Sequence, residues 1–465
     1  PIPDVALAVP TRTNGGISAD GLTITYHLRH GVTFSDGVPL TSADAKYTWQ
    51  QIVNPDNNAS SRYPYDDVAS VDTPDPYTLI VHLKARLSPF VGYFLRNGTL
   101  GSILPKHLLD KYPNLNRIGF NIAPIGSGPF VVENYQPGVR LDLRANPHYW
   151  RGPPKLRAIE YHIIPNQQTL LTQVGSHEID FYFDAPEVQY ALLKAIDGVR
   201  VTARPNQSFE HISFNCGRPP LDDVRVRQAL SYAIDWNRLA QDVYLGLGLQ
   251  GMADIAPSTW AYDPSVKPYP FDPGRAKALL AEAGWMPGSD GVLAKDGRPL
   301  EFTMTTVAGV SSREKVEALV QQDLRHVGVD LHIKNDHANM LFATYGANGT
   351  FARGRFDIGL YAWSYTIPDP DDTLTLGPDQ VPPAGQNYTF CKDALIGQYQ
   401  REARTSYDRA VRRAALVKLQ HREYEVVPRH TIVWRANIDA VNSDMKNFKP
   451  APAVSDFWNA WEWDI

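Results

Sequence analysis

Amphipathic helices alternate with short strands through the second half of the chain, and this alternation restricts the fold more than any other feature. The helix after Asp222 and Asp223 has apolar residues at helical spacing, so that they form one stripe, namely Val226, Ala229, Leu230, Ala233 and Ile234. Helices predicted near 275–283 and 313–327 alternate with strands predicted near 301–306 and 329–333. This order is typical of α/β layers, and we therefore predict an α/β fold.

Length and charge exclude several classes of protein. A chain of 465 residues predicts two or three domains, and 43% hydrophobic with 20% charged residues is ordinary globular composition. The net charge of -5 provides no basic surface for nucleic acid or anionic lipid. No apolar run reaches the length of about eighteen residues that a membrane-spanning helix needs.

The segment 356–372 reads as a strand that ends in a proline-rich turn. Its first eight residues alternate between two faces, and Pro368 and Pro370 cannot donate to a sheet ladder. Between strand and break lie two aromatic rings and two hydroxyls that could form a wall for a polar ligand: Trp363, Ser364, Tyr365 and Thr366. The simpler alternative is an edge strand with a surface tryptophan.

The carboxylates after this strand are predicted to form a solvated turn. Asp369, Asp371 and Asp372 are dense enough to suggest a cation site, but the spacing and distal glutamate of a calcium loop are absent. The basic residues between Arg401 and Arg413 are expected on the wet face of a long helix near 408–426.

Enzyme and metal signatures are weak. The segment 125–129 lacks the spacing of a nucleophile elbow, and His177-Glu178 has no second histidine at helical spacing. We predict no catalytic residue, no metal site and no cofactor. An enzyme that uses two converging carboxylates in a cleft stays open as an alternative. Cys216 and Cys391 could form one disulfide, and their sequence alone does not decide this.

Motifs along nearly the whole chain resemble one family. They occur in order as LRHGVTFSDGVPLT (28–41), ILPKH (103–107), GSGPF (126–130), RANPHYW (144–150), PLDDVRVRQAL (220–230), YPFDPGRAKALLAEAG (269–284) and FDIGLYAWSYTIPDPD (356–371). Together they resemble the family 5 solute-binding proteins of bacterial ABC importers, which include oligopeptide-, dipeptide- and nickel-binding proteins.

This resemblance implies a two-lobe fold like that of periplasmic binding proteins, of type II and cluster C-like, with an additional third domain. The motif positions predict the additional domain at 1–124, lobe I at 125–213 plus 435–465, and lobe II at 214–434. The family normally has several dozen residues before the first matched strand, so we expect the N-terminal part of lobe I to be missing.

The function that the resemblance implies is extracytoplasmic capture of a small solute between two closing lobes, followed by delivery to an ABC permease. An oligopeptide or dipeptide is the expected ligand. The expected location is the periplasm or the outer face of the cytoplasmic membrane, as a monomer that reaches the membrane through a lipid anchor or the permease. A receptor or chaperone without a transport role is a further alternative.

The resemblance also suggests ligand-binding residues. Trp363 matches the pocket tryptophan of the peptide binders, and Asn215 lies where the chain crosses between lobes, as a ligand contact or as a buried amide satisfied by backbone. Peptide binders have an aspartate three residues after the tryptophan, which pairs with the ligand's ammonium, whereas this chain has Thr366. Asp369 is a candidate substitute. A neutral ligand such as an oligosaccharide on Trp363 and Tyr365 is the alternative.

Overall fold

The computed structural model describes residues 3–59, 62–95, 101–289, 291–365, 369–451 and 455–465. The chain forms two compact units. Unit 1 contains residues 1–185, 189–202 and 439–465, and unit 2 contains residues 186–188 and 203–438.

The first 200 residues supply most of the helices and strands of unit 1. The strands are β1 (Thr23–His27), β2 (Val68–Asp75), β3 (Thr78–Leu83), β4 (Phe130–Gln136), β5 (Arg140–Ala145), β6 (Ala158–His162) and β7 (Phe181–Tyr182). The helices are α1 (Ser42–Val53), α2 (Phe90–Tyr93), α3 (Lys106–Leu109), α4 (Gln167–Gly175) and α5 (Tyr190–Lys194). Two long strands, β8 (Val199–Phe214) and β15 (Arg429–Asn442), belong in part to unit 1 and in part to unit 2.

Two antiparallel three-stranded sheets organise unit 1. One has the order β1-β3-β2, and the other has the order β4-β5-β6. In the second sheet Leu141 pairs with both Tyr135 and Tyr161, so these three side chains share one face. The end of β15 pairs with β7 through Ala440 opposite Tyr182 and Val441 opposite Phe181.

Unit 2 contains the α/β layers predicted from the sequence. Its remaining strands are β9 (Met286–Pro287), β10 (Leu293–Lys295), β11 (Arg298–Pro299), β12 (Glu301–Thr305), β13 (Asp330–Ile333) and β14 (Ile358–Ser364). Its helices are α6 (Val224–Ala233), α7 (Trp236–Asp242), α8 (Pro273–Glu282), α9 (Ser311–Arg325), α10 (Ala338–Leu341), α11 (Thr373–Leu376), α12 (Ala394–Thr405) and α13 (Arg409–Val426). The α/β prediction is confirmed, because the expected helices and strands form within a few residues of their predicted ends.

The central sheet of unit 2 has its strands in the order β13-β12-β14-β8-β15. Strand β14 runs parallel to β12 and antiparallel to β8. Ile358 and Leu360 lie in the main core with apolar residues of α6, α8 and α9, while Tyr361 and Trp363 lie in or against smaller clusters on the opposite face. The edge-strand alternative for this segment is therefore wrong, since β14 is bonded on both sides.

Two predictions about solvation are each wrong for one residue. Asp372 is buried, and Arg412, within the run expected on the wet face of α13, is buried as well. The buried side of α13 carries Arg412, Gln420 and Glu423 beside its apolar residues. Because polar side chains on this buried face interrupt the apolar period of the helix, the charge pattern alone predicts as exposed a residue that is buried.

The two compact units are divided within β8, after Thr202, and within β15, after Ile438. The boundaries predicted from the motifs, 213/214 and 434/435, lie in the same two strands. The additional domain at 1–124 and the assignment of lobes I and II stay predictions.

Candidate ligand-binding site

Trp363 lies near the end of β14, where the sequence predicted a ligand wall. It pairs in register with Phe209 of β8, and its half-buried ring lies 6.3 Å from that of Tyr388 at 82°. Its neighbour Ser364 is exposed and pairs with Ser208. A half-buried indole that neighbouring rings support has part of its surface available for contact with a ligand.

Tyr365 continues this wall beyond the strand. Its backbone N–H donates to the carbonyl of Gln207 at 3.0 Å. Its ring stacks on Phe209 at 5.7 Å and 20°, and lies 6.5 Å from Trp434 at 29°. Packing therefore holds the ring in one orientation. Thr366 lies outside the described residues.

The hydroxyl of Tyr365 reaches a set of buried charged groups, which we call the buried polar layer: Asp254, Asp372, Glu423 and Arg429. The hydroxyl donates to Oδ2 of Asp254 at 3.2 Å, and Arg429 donates to the same oxygen. Each residue of the layer is at most 2% exposed. The layer fixes the Tyr365 ring at its polar end, as the stacking on Phe209 does at its apolar face.

Burial shifts the titration of this layer. It lowers the pKa of Arg429 to about 9, and it raises the pKa of Glu423 well above its usual value, with a smaller contribution from the charge of Asp372. Burial, followed by the charge of Asp371, raises the pKa of Asp372 to about 7. With one guanidinium for three carboxyl groups, burial disfavours the charged forms of Asp372 and Glu423, because burying unpaired charge is costly.

Asp369, the candidate partner for a ligand ammonium, is engaged in an ion pair. Arg412 donates to Oδ2 through Nη1 at 3.0 Å and to Oδ1 through Nη2 at 2.5 Å. The Nε of Arg412 also donates to the carbonyl of Ala403 at 2.9 Å. A ligand ammonium at Asp369 would have to compete with this two-point interaction.

Asn215 is surrounded by backbone groups. Its Nδ2 donates to the carbonyls of Gly354 and Phe356, at 3.1 and 2.9 Å, and its Oδ1 accepts from Gly217 N at 3.1 Å. The side chain is 1% exposed. The sequence allowed two roles for Asn215, a ligand contact or a buried amide bonded to backbone groups, and this arrangement corresponds to the second.

Cys216 and Cys391 form a disulfide with their Cα atoms 5.0 Å apart, a pairing that the sequence had not decided. A cavity of about 510 Å³ adjoins it. The lining of this cavity includes Cys216, Arg227, Phe390 and Lys392, and none of the predicted ligand-binding residues.

Sequence reasoning missed Phe209, Asp254 and Arg429. The aromatic and β-branched residues Phe209, Ile212 and Phe214 could have indicated a strand here, although they do not alternate strictly with polar residues. No local signal identifies the contact of Asp254 with Arg429, because 175 positions separate them. Among the described residues no group of three or more His, Cys, Asp or Glu is arranged to hold a metal ion, and no helix is long and apolar enough to cross a membrane.

The chain matches the model of one protein family and is similar in sequence to several known proteins. The model of the family described as "Bacterial extracellular solute-binding proteins, family 5 Middle" matches residues 1–379. The oligopeptide-binding protein AppA of Bacillus subtilis is 28% identical over 95% of this chain and 81% of AppA. The glutathione-binding protein GsiB of Salmonella typhimurium is 31% identical over 68% of this chain and 59% of GsiB.

Solved structures share the fold over nearly the whole chain. NikZ from Campylobacter jejuni in complex with Ni(L-His) has a TM-score of 0.83 and 24% identity, covering 100% of this chain and 91% of NikZ. AppA from Bacillus subtilis in complex with a nonapeptide has a TM-score of 0.82 and 25% identity, covering 99% of this chain and 89% of AppA.

Proposed function

This chain belongs to the bacterial extracellular solute-binding proteins of family 5, which are binding proteins and not enzymes. We propose that it captures an oligopeptide or dipeptide outside the cytoplasm and delivers it to an ABC permease. AppA of Bacillus subtilis, an oligopeptide-binding protein, aligns with 95% of the chain and supports a peptide as the ligand.

The observation that carries this proposal is the fixed aromatic wall of Trp363 and Tyr365. Both rings are half-buried and are held by Phe209 and, for Tyr365, by the bond to Asp254. Rings that are already ordered lose little conformational entropy on binding, and their flat faces can cover a peptide backbone.

A neutral solute such as an oligosaccharide is a second candidate. One specific contact favours it, since both carboxylate oxygens of Asp369 already accept hydrogen bonds from Arg412. A site without an available carboxylate disfavours a free ammonium, because a desolvated cation needs a partner. Sugar rings could stack on Trp363 and Tyr365 without one.

Calorimetric titration separates the two candidates. We expect a measurable heat of binding when the protein is titrated with a peptide mixture, and no heat of binding with an oligosaccharide mixture. Trp363→Ala should weaken binding roughly 10- to 100-fold, because a buried aromatic contact is worth about 1.5–3 kcal/mol. Tyr112→Ala is the control, because Tyr112 is an exposed aromatic residue of unit 1.

A heat of binding with the oligosaccharide mixture alone would show that the ligand is a neutral solute and not a peptide. Absence of a heat of binding with both mixtures would contradict both candidate ligands. Equal affinity of Trp363→Ala and the wild-type protein would mean that the aromatic wall is not the ligand-binding surface.

A further inference from the structure

A cavity in unit 2 gives access to the disulfide between Cys216 and Cys391. Both cysteines line this cavity, which has a volume of about 510 Å³. Cys216 is half-buried and is followed by the exposed Gly217, whereas Cys391 is 6% exposed. The volume is many times the share of about 30 Å³ that a water molecule takes in the liquid. A small thiol can therefore enter the cavity and approach the Cys216 side of the bond.

Two cationic side chains line the same cavity. Lys392 directly follows Cys391 and is exposed. Arg227 is buried, and within the described residues it donates only to backbone carbonyls, among them those of Leu221 at 2.7 Å and Val426 at 2.9 Å. A nearby cation stabilises a thiolate, which is both the attacking and the leaving form in thiol–disulfide exchange.

Two carboxylates also line the cavity, and one of them is neutralised. Asp393 is paired with Arg422 at 2.7 Å. Among the described lining residues, the two cations therefore face one remaining carboxylate, that of Asp222. The lining has a net positive charge, which attracts a thiolate.

The disulfide joins the chain just after β8 to a segment, 387–391, that buried hydrogen bonds order. Cys216 N–H donates to the carbonyl of Thr389 at 2.8 Å. The Thr389 hydroxyl donates to Oδ1 of Asn387 at 2.6 Å and accepts from Cys391 N–H at 3.2 Å. Asn387 and Thr389 are fully buried. The segment is thus fixed around the residue that carries one half of the disulfide.

Phe390, next to Cys391, has a left-handed backbone with φ of 55°. This conformation is costly for a residue with a Cβ and persists only where the surrounding structure imposes it. The ring of Phe390 lies so close to Gly354 that a Cβ at that glycine would be 3.0 Å from Cζ of the ring. The disulfide is one of the constraints on this backbone, so its opening allows residues 389–391 to relax.

Tyr388 connects this segment with the aromatic wall. Its ring lies 6.3 Å from Trp363 at 82°, 5.8 Å from Phe351 at 24° and 6.4 Å from Tyr361 at 68°. It is 7% exposed and lies three positions before Cys391. A shift of the segment therefore changes the support of the Trp363 ring.

We propose that this cavity is a thiol–disulfide exchange site, at which a dithiol opens the Cys216–Cys391 bond, releases segment 387–391 and weakens ligand binding at Trp363. This inference rests on the proposed peptide-binding function and adds its regulation. All the residues that it involves belong to unit 2. The oxidised protein binds the ligand more tightly, because the disulfide keeps the support of the wall ordered before binding.

The exchange has two steps. A thiolate of the dithiol attacks Sγ of Cys216, the more exposed cysteine, the sulfur–sulfur bond of the protein breaks, and Sγ of Cys391 leaves as a thiolate. The second thiolate of the dithiol then attacks the dithiol's own sulfur in the mixed disulfide and displaces Sγ of Cys216. Both cysteine thiolates take up a proton from water. Two electrons have then passed from the dithiol to the protein, and the dithiol leaves as a cyclic disulfide.

The first test measures reduction of the intact, folded protein by dithiothreitol, with the thiols counted by alkylation and mass spectrometry. We expect the disulfide to open without denaturant, at a rate proportional to the dithiothreitol concentration. Lys392→Glu should slow the reaction severalfold, because the new charge repels the thiolate. Lys277→Glu is the matched control, since Lys277 is an exposed lysine of α8 that does not line the cavity, and it should react as the wild-type protein does.

The second test follows the consequences of reduction. Hydrogen–deuterium exchange should increase in residues 386–392 and stay the same in residues 68–83, which form β2 and β3 of unit 1. In calorimetric titrations with the peptide mixture, protein kept in dithiothreitol should bind roughly three- to tenfold more weakly than oxidised protein, because the wall must then be ordered on binding. The double variant Cys216→Ser, Cys391→Ser should bind as the reduced protein does and should not respond to dithiothreitol.

The outcomes separate the site from the function. A disulfide that opens only in denaturant, or equal reduction rates for Lys392→Glu and the wild-type protein, would refute the exchange site. Reduction of the folded protein without a change in hydrogen exchange or in peptide affinity would refute the regulatory role, while the peptide-binding function would stand. If the oxidised protein binds no peptide, the proposed function fails and its regulation fails with it.

Discussion

Arg412 of α13 donates hydrogen bonds to both carboxylate oxygens of Asp369, at 3.0 and 2.5 Å. This contact attaches the segment that follows the aromatic wall to the long helix. It also occupies the carboxylate that the sequence suggested as a partner for a ligand ammonium. The side chains of the two residues are 9% and 22% exposed, so solvent screens the pair only in part.

Arg412→Met should lower the free energy of unfolding by about 2–3 kcal/mol, because it leaves a largely buried carboxylate without its partner. Urea denaturation measures this loss. Arg413→Met serves as the control, since Arg413 is exposed on the same helix, and we expect a change within about 0.5 kcal/mol. A loss of equal size in both variants would show that the ion pair does not stabilise the segment.

The pKa of Asp372, raised to about 7 by burial, predicts a pH-dependent stability. The carboxyl group of the unfolded chain has a pKa of about 4, so the native state binds an extra proton between about pH 4 and 7. The contribution of Asp372 to stability therefore falls as pH rises through that window. Asp372→Asn removes the titration and should be more stable than wild type at pH 8, by up to about 4 kcal/mol, since one pKa unit corresponds to about 1.4 kcal/mol.

The measurement is the difference in unfolding free energy between Asp372→Asn and wild type from pH 5 to 8. The difference isolates Asp372 from His430, whose pKa burial lowers to about 3 and whose effect on stability has the opposite dependence on pH. Asp379→Asn, at an exposed position of the same region, should show no such trend. A difference that does not vary with pH would refute this interpretation of Asp372.

Tyr365→Phe should separate the two roles of Tyr365. Loss of the hydroxyl leaves Asp254 with one donor fewer, and we expect a stability loss of about 1 kcal/mol. The ring that stacks on Phe209 remains, so ligand affinity should change less than threefold. Tyr365→Ala removes the ring and should reduce affinity at least tenfold. Thermal unfolding and calorimetry on the same samples provide both readouts, and equal affinity of the two variants would contradict a role for the ring.

Reduction of the Cys216–Cys391 disulfide should lower stability by roughly 2–4 kcal/mol, because the bond closes a long loop and restricts the unfolded chain. Thermal unfolding with and without reductant measures the effect. The double variant Cys216→Ser, Cys391→Ser should melt at the same temperature in both conditions. Insensitivity of the wild-type protein to reductant would argue against this contribution.

The alternating strand at 356–363 and the apolar stripe of α6 could be predicted from the sequence because each depends on a local period of side chains. The ordered motifs likewise predicted the family, since they resemble it over nearly the whole chain. The predicted wall residues Trp363 and Tyr365 lie together with Phe209, and the contribution of each to ligand binding stays a prediction.

By itself, the sequence determined the family and the alternating helices and strands of part of unit 2, all of which follow from patterns along the chain. The tertiary structure alone decided which charges are free and which are paired. Asp369 pairs with Arg412, 43 positions away, and Asp254 pairs with Arg429, 175 positions away. Asp372 is buried where a solvated turn was expected. The physical reason is that the solvation of a carboxylate depends on which distant element covers it, and no local pattern encodes that contact.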